Sequence, residues 1–130
     1  NVGQEIKENI SAKDQEENGS IISIVATNIP LSSRQLKRVI KRVGPGIART
    51  GGFIGHGSGE ITLGFSTGNI LYHKEEKDII NIKTLNESKI NQIFRATTEA
   101  TEEAILNSMI TANTTLGKDG HIVYSLKDFM

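Results

Sequence analysis

The sharpest change of composition along this 130-residue chain falls between Gly19 and Ser20. Residues 1–19 carry five acidic and two basic side chains with little apolar material, which is typical of a solvated segment. Residues 20–27 (SIISIVAT) then place apolar side chains on both faces of an alternating pattern. Such a pattern predicts a strand in a central layer, covered on both sides. The chain must therefore join an exposed polar segment directly to a buried strand.

The next segment predicts a helix over about 32–44, because apolar residues recur there at steps of three and four. Ser32 or Ser33 is suited to cap its first turn, since a serine hydroxyl accepts from free backbone N–H groups. Gly44-Pro45-Gly46 is expected to break or kink this helix, because proline has no N–H to donate. A glycine-rich stretch, 51–59, follows and leads into a second strand.

The second half of the chain continues the alternation of strands and helices. Residues 60–66 alternate like a strand, and residues 87–112 show the wide apolar stripe of a helix. Residues 69–86 are predicted to form a hairpin around the charged turn 73–78, and residues 121–126 a final strand. This order of elements predicts a layered α/β architecture.

Composition excludes several classes of protein and narrows the range of partners. Fifteen basic and fifteen acidic residues give zero net charge, so we expect neither nucleic acid nor a membrane surface as partner. No apolar run reaches the roughly 18 residues that a membrane span needs, and the absence of cysteine excludes disulfides and thiolate metal sites. The compartment stays open, with the cytoplasm favoured, since any leader peptide would lie upstream of Asn1.

Three features that suggest ligand binding have ordinary explanations. The glycine-rich stretch follows a helix and opens a strand, whereas phosphate-binding loops follow a strand and open a helix. The basic helix face at 34–42 is suited to nucleic acid, but a solvated surface or neutralisation by the acidic residues 1–19 explains it equally well. His56, His73 and His121 are too scattered for the ligand spacing of a zinc site.

The junction between Gly19 and Ser20 suggests a different chemistry. If the peptide bond between them were cleaved, Ser20 would carry a hydroxyl and an α-amino group on adjacent carbons. An α-amino group has a pKa of about 7.7–8.0, so it is suited to act as general base for the neighbouring hydroxyl. Gly19, which has no Cβ, would ease the backbone strain of self-attack. This is the arrangement of an N-terminal nucleophile, although polar segments joined to strands are also common in proteins without such activity.

Three stretches of the sequence together resemble one known family. They are residues 20–52 (SIISIVATNIPLSSRQLKRVIKRVGPGIARTGG), 55–69 (GHGSGEITLGFSTGN) and 96–120 (ATTEATEEAILNSMITANTTLGKDG). They look like the C-terminal part of the L-aminopeptidase/D-esterase, or β-peptidyl aminopeptidase, family of self-processing serine hydrolases. The resemblance spans roughly residues 18–126. Pro45, His56 and the poorly matching segment 69–86 depart from the family's pattern.

The resemblance implies a fold and a division of the chain. Members of the family adopt a four-layer αββα sandwich, shared with the ornithine acetyltransferases, and are made as one chain that cleaves itself before a serine. By this resemblance residues 1–19 are the end of the α subunit and residues 20–130 are the catalytic β subunit, which forms only part of the sandwich. The bond that is cleaved is then Gly19–Ser20.

The resemblance also implies which side chains carry the chemistry. Ser20 is then the nucleophile of a serine aminopeptidase that hydrolyses N-terminal amino-acid peptides, amides or esters through an acyl-enzyme. Ser58 is expected to hydrogen-bond the Ser20 hydroxyl and Glu60 to hold the Ser20 amine, with no metal or organic cofactor. The implied partners are the upstream α subunit, a small substrate and further αβ units in a homo-oligomer.

Two other functions stay open beside the aminopeptidase. An acyltransferase of the same superfamily is the weaker one, because the nucleophile of that branch is threonine, whereas position 20 is serine. A nucleic-acid-binding α/β module would use the basic helix face at 34–42, and its affinity would fall steeply with salt.

Overall fold

The computed structural model describes residues 19–74 and 76–129 of the protein. Its main elements, in chain order, are β1 (Ile21–Thr27), α1 (Ser33–Ile40), α2 (Val43–Arg49), β2 (Glu60–Ser66) and α3 (Ile90–Thr111). A short hairpin of β3 (Thr115–Leu116) and β4 (Ile122–Val123) follows, and 3-10 turns lie at Glu87–Lys89, Lys118–Gly120 and Leu126–Phe129. No helix within these ranges is long and apolar enough to cross a membrane. The acidic segment assigned to the end of an α subunit lies, except for Gly19, outside the described residues.

β1 and β2 form a two-stranded parallel sheet, and both strands agree with their predicted bounds to within one residue. Ile21 pairs with Glu60 at one end of the register, and Thr27 pairs with Ser66 at the other. Parallel strands cannot be joined by a tight turn, so α1 and α2 carry the chain back to start β2 beside β1. The predicted α/β order is therefore present around the junction at Ser20.

The sheet has one covered face and one open face among the described residues. On the covered face, Gly64 of β2 lies so close to Leu36 and Ile40 of α1 that no side chain fits there, and Val25 of β1 packs against the core. The open face presents large apolar side chains that are each more than half exposed: Ile22, Ile24, Ile61, Leu63 and Phe65. The described residues therefore do not supply the second cover that the sequence predicts for β1.

The first helical region breaks earlier than predicted. α1 ends at Ile40, and a turn at residues 41–42 precedes α2. Gly44-Pro45-Gly46 lies inside α2 rather than at the break, which corrects the expected position of the kink. Pro45 belongs to the first turn of α2, where backbone N–H groups have no acceptor within the helix, so its missing donor costs little.

Gln35 is buried in α1 and ties this helix to the segment before α3, a role that the apolar pattern did not reveal. Its Nε2 donates to Leu85 O at 2.8 Å, and its Oε1 accepts from Ser32 N at 3.0 Å and from Thr84 Oγ1 at 2.9 Å. Ser32 Oγ in turn accepts from Gln35 N, so the predicted N-cap forms a reciprocal capping box. Because the buried amide is fully paired, it stabilises the connection between α1 and the start of α3.

α3 packs closely on α2 through small residues, as its wide stripe predicted. A Cβ on Gly46 would lie 2.6 Å from Thr101 Cβ and 2.7 Å from the carbonyl oxygen of Thr98, so the two helices touch at that glycine. Thr98 Oγ1 also donates to Arg42 O at 3.1 Å. The buried apolar residues around these helices are Leu31, Val39, Val43, Ile47 and Ile90. The core therefore lies on the helical side of the sheet.

The hairpin predicted over 69–86 is wrong, because the described residues of this segment form turns and irregular chain without strand pairing. Side-chain hydrogen bonds, rather than backbone pairing, connect the two ends of this segment. Asn69 Oδ1 accepts from Lys83 N at 2.8 Å, and Asn69 Nδ2 donates to Lys83 O at 2.9 Å. The final strand is shorter than predicted and covers only Ile122–Val123. The apolar residues of both segments therefore predicted more strand than the chain forms.

We expect Gly46→Ala to destabilise the protein more than Gly44→Ala, two residues earlier in α2. The first substitution forces a methyl group against Thr98 and Thr101 and should cost about 1–3 kcal/mol of unfolding free energy. Among the described residues the second meets only Ile54, at 4.0 Å, so its cost is limited to the restriction that Pro45 places on a helical residue with a Cβ before it. Thermal and chemical unfolding measure the difference, and equal stabilities would contradict the close contact between the helices.

Candidate active site

The predicted nucleophile lies where the two parallel strands begin. Ser20 immediately precedes β1 and Gly59 immediately precedes β2, and parallel pairing brings these two starts to the same edge of the sheet. The backbone N–H of Gly59 donates to Ser20 Oγ at 3.2 Å, and Ile21 N donates to Gly59 O at 3.0 Å. Backbone hydrogen bonding therefore holds the Ser20 hydroxyl against the chain that enters β2.

The predicted site residues line one cavity of about 180 Å³. Ser20 reaches it from the start of β1, whereas Ser58 and Glu60 flank Gly59 at the start of β2. Gly19 lines the same cavity, and both Gly19 and Ser20 are exposed, so the peptide bond predicted to be cleaved is accessible to solvent. Residues that lie far apart in the sequence are thus brought together by the pairing of the two strands.

The hydrogen bonds of Ser58 differ from the predicted contact with Ser20. The Ser58 N–H donates to Gly55 O at 3.1 Å, and the hydroxyl is directed to the same oxygen at 3.5 Å. A bond of this length is weak, so rotation of the Ser58 hydroxyl costs little. Glu60 is exposed, and the amine that it is expected to hold is absent as long as Ser20 remains joined to Gly19.

Isoleucine side chains complete the cavity, and the sequence analysis did not assign them to the site. They come from β1, α2, the glycine-rich stretch and α3, and they are Ile21, Ile47, Ile54 and Ile105. Thr50 and Gly52 also line the cavity. The signal available in the sequence was Phe53-Ile54, a pair of large apolar residues inside an otherwise glycine-rich stretch.

The groups predicted to react are two of the hydroxyls in the lining, from Ser20 and Ser58, and the carboxylate of Glu60. A hydroxyl with a backbone donor beside it and a carboxylate nearby is an arrangement suited to acyl transfer. Within residues 19–74 and 76–129, no group of three or more histidine or acidic side chains is clustered to hold a metal ion.

Several basic side chains of the predicted helix face at 34–42 contact other residues of the described fold. Arg34 Nη2 donates to Glu87 Oε2 at 2.6 Å, and Arg38 forms an ion pair with the same carboxylate. The guanidinium carbon of Arg42 lies 4.3 Å from the centre of the Phe94 ring, which is cation–π geometry. Glu87 thus neutralises part of this face, whereas the alternative neutralisation by the acidic N-terminal segment lies outside the described residues.

Comparison with known proteins decides the family. The sequence profile of peptidase family S58 matches residues 1–123. The chain belongs to peptidase family S58. Two β-peptidyl aminopeptidases, both named BapA, are similar to it: that of Sphingosinicella microcystinivorans is 40% identical over 108 residues, and that of Sphingosinicella xenopeptidilytica is 34% identical over 118 residues. The resemblance drawn from the three sequence stretches is confirmed.

These similarities cover most of the chain but a minor part of the relatives. The two alignments include 83% and 89% of this chain, and only 27% and 29% of the BapA proteins. The chain therefore spans less than a third of the length of the curated S58 relatives that it matches.

Three solved structures share the fold. The PH0078 protein from Pyrococcus horikoshii OT3 gives a TM-score of 0.74 at 51% identity, over 79% of this chain and 29% of that one. The L-aminopeptidase D-Ala-esterase/amidase from Ochrobactrum anthropi, a variant of the Ntn hydrolase fold, gives a TM-score of 0.69 at 29% identity. That match covers 79% of this chain and 30% of the other. A Burkholderia β-aminopeptidase gives a TM-score of 0.74 at 30% identity, and the match covers 96% of this chain and 35% of the other. The predicted fold class is confirmed, with this chain as a partial domain of the Ntn hydrolase fold.

Two substitutions at Gly59 test whether its backbone N–H contributes to self-cleavage. We expect Gly59→Ala to cleave itself normally and Gly59→Pro to cleave itself much more slowly. A Cβ on Gly59 meets no atom of the described residues within 4 Å, so alanine fits and keeps the N–H that reaches Ser20 Oγ. Proline removes that N–H, so Ser20 Oγ loses the contact that positions it, and displacement of the nucleophile should slow self-cleavage by about 100-fold. Intact-mass analysis of the complete precursor over time measures both rates. Equal rates in the two variants would show that the donor has no role.

Proposed function

We propose that this chain is the C-terminal portion, nearly all β subunit, of a self-cleaving serine aminopeptidase. The observation that carries the proposal is the contact of Ser20 Oγ with the Gly59 N–H, inside a cavity that Ser58 and Glu60 also line. Membership of peptidase family S58 and similarity to two β-peptidyl aminopeptidases support the same reaction class.

The first step of the proposal is cleavage of the Gly19–Ser20 bond. Ser20 Oγ attacks the Gly19 carbonyl carbon, a C–O bond replaces the C–N bond, and the proton of the hydroxyl passes to the Ser20 nitrogen. Water then hydrolyses the ester, which leaves a carboxylate on Gly19 and a free amine on Ser20. The Gly59 N–H positions Oγ for this attack, in which the negative charge develops on the carbonyl oxygen of Gly19. Among the described residues, a Cβ on Gly19 would meet no atom within 4 Å, so no packing contact in this part of the chain requires glycine there.

Turnover repeats this chemistry on a substrate. The free amine of Ser20 accepts the hydroxyl proton, Oγ attacks the carbonyl of the substrate's N-terminal residue, and the proton passes to the departing amine. Water then hydrolyses the acyl-enzyme and restores the hydroxyl, so the steps balance with water as co-reactant. In this scheme Glu60 holds the amine, and the Ser58 hydroxyl turns from Gly55 O towards Ser20 to assist the proton transfer.

The upstream portion of the same precursor is the proposed partner of the open sheet face. Ile22 and Ile24, which are 71% and 64% exposed, belong to an apolar surface that a folded protein does not leave in water. The relatives contain more than two thirds of their length beyond the region matched here, which is enough chain for a covering layer. The association of such units into a homo-oligomer and a cytoplasmic location stay predictions.

The other two functions gain no support from the structure. Arg34 and Arg38, on the basic face proposed for nucleic acid, are both engaged by Glu87. The acyltransferase branch differs at the nucleophile, which is serine at position 20 of this chain.

We expect Ser20→Ala to abolish both self-cleavage and aminopeptidase activity, because no hydroxyl remains to attack either carbonyl. Ser23→Ala, in the same strand, is the matched control and should retain both, since Ser23 faces the groove between β1 and α3 rather than the cavity. Intact mass of the complete precursor and hydrolysis of amino-acid p-nitroanilides report the two activities. Retained turnover in Ser20→Ala would rule this mechanism out.

Glu60→Gln tests the role of the carboxylate through the pH dependence. A carboxylate beside the Ser20 amine favours the ammonium form and raises the pKa of that amine, and the amine must be neutral to accept a proton. Activity should therefore rise with pH through this pKa, and Glu60→Gln should move the acidic limb to lower pH while reducing the maximal rate. The pH profile of kcat/KM measures the shift. If the acidic limb of the profile stays in place and the maximal rate is near normal, Glu60 has no role in catalysis.

A further inference from the structure

An apolar surface lies beside the Ser20 hydroxyl, and the proposed reaction steps do not use it. Ile47 of α2, Ile54 of the glycine-rich stretch and Ile105 of α3 converge on the cavity from three different elements. The additional hydroxyl in the lining, Thr50 Oγ1, donates to Ile47 O at 2.8 Å and is already satisfied. Apart from the three proposed reactive groups, the side chains of the lining therefore offer a ligand mainly apolar surface.

The cavity has the size of a single side chain. Its volume of about 180 Å³ is below the ~300 Å³ at which pockets for drug-sized ligands begin. Ile47 is buried and packs so closely on Gly52 that a side chain has no room there, which makes this part of the lining rigid. Ile54 is 40% exposed, so it is the part of the apolar lining that a ligand arriving from solvent meets first.

Ile54 is held in a backbone conformation that isoleucine rarely adopts. Its φ is +58°, in the left-handed region that favours glycine, and a β-branched residue in this region is a genuine outlier. Strain of this kind persists where the surroundings fix it, and it concentrates at ligand-binding and catalytic sites. The strained backbone directs the Ile54 side chain towards Gly44 of α2 while the residue lines the cavity beside Ser20.

We propose that Ile54 is a specificity-determining residue that forms the outer wall of an apolar subsite for the side chain of the substrate's N-terminal residue. A branched aliphatic side chain would fill the subsite and leave water while its carbonyl stays beside Ser20 Oγ. The enzyme should therefore prefer substrates with a branched aliphatic N-terminal side chain over those with a small one. This inference rests on the proposed aminopeptidase function.

The test compares substrate preference in the complete precursor after self-cleavage. The probes are the p-nitroanilides of leucine and alanine, together with those of β-homoleucine and β-alanine. Ile54→Gly and Ile54→Asn both tolerate a positive φ, so both variants should fold and cleave themselves. We expect each to lower the ratio of kcat/KM for the branched over the small substrate by about tenfold, because the apolar wall is removed.

Asp119→Gly is the matched control. Asp119 is the other described non-glycine residue with a positive φ, +59°, and it does not line the cavity, so this change places glycine at a left-handed position away from the site and should leave the ratio unaltered. An unaltered ratio in both Ile54 variants, with turnover intact, overturns the subsite and leaves the proposed function standing. Absence of turnover in the wild-type protein overturns both.

Discussion

The parallel pairing of β1 with β2 is the constraint on which the site depends. The register that sets Ile21 opposite Glu60 also makes neighbours of the two preceding residues, Ser20 and Gly59. If the register of β2 shifted by one residue, its two faces would be exchanged. A side chain would then point at α1 in the place of Gly64, where the structure has no room for one. Helix packing and the position of the nucleophile are therefore fixed by the same register.

A second connection fixes α3, which supplies one wall of the cavity. Gln35 Nε2 reaches both Leu85 O and Glu87 Oε2, so the buried amide of α1 holds the chain where α3 begins. Gly46 then brings α2 and α3 into direct contact further along. Ile105 reaches the site as a consequence of these two contacts, although its own sequence neighbourhood contains no sign of a role there.

Features that depend on local pattern were predictable from the sequence, whereas those that depend on distant partners were not. The bounds of β1 and β2 and the cap at Ser32 follow from alternation and from serine chemistry at a helix start. The break of the helix at residues 41–42 has no such local signal, since the proline after it fits within a first turn. Gln35 was missed because its partners lie about fifty residues away, and a positive φ at Ile54 has no signature in residue type.

The open face of the sheet bears on how such a protein is made in the cell. The run at 20–27 is uncharged and rich in β-branched residues, and such strands aggregate when left bare. In a precursor of the proposed organisation, the upstream portion leaves the ribosome first, so a cover stands ready as β1 emerges. Synthesis as one chain also makes the association of the two portions intramolecular, so it takes place at the high effective concentration of a tethered pair. Once the tether is cut, separated portions would have to meet by diffusion with this face exposed, so thermal inactivation should be governed by the rate of unfolding rather than by a reversible equilibrium.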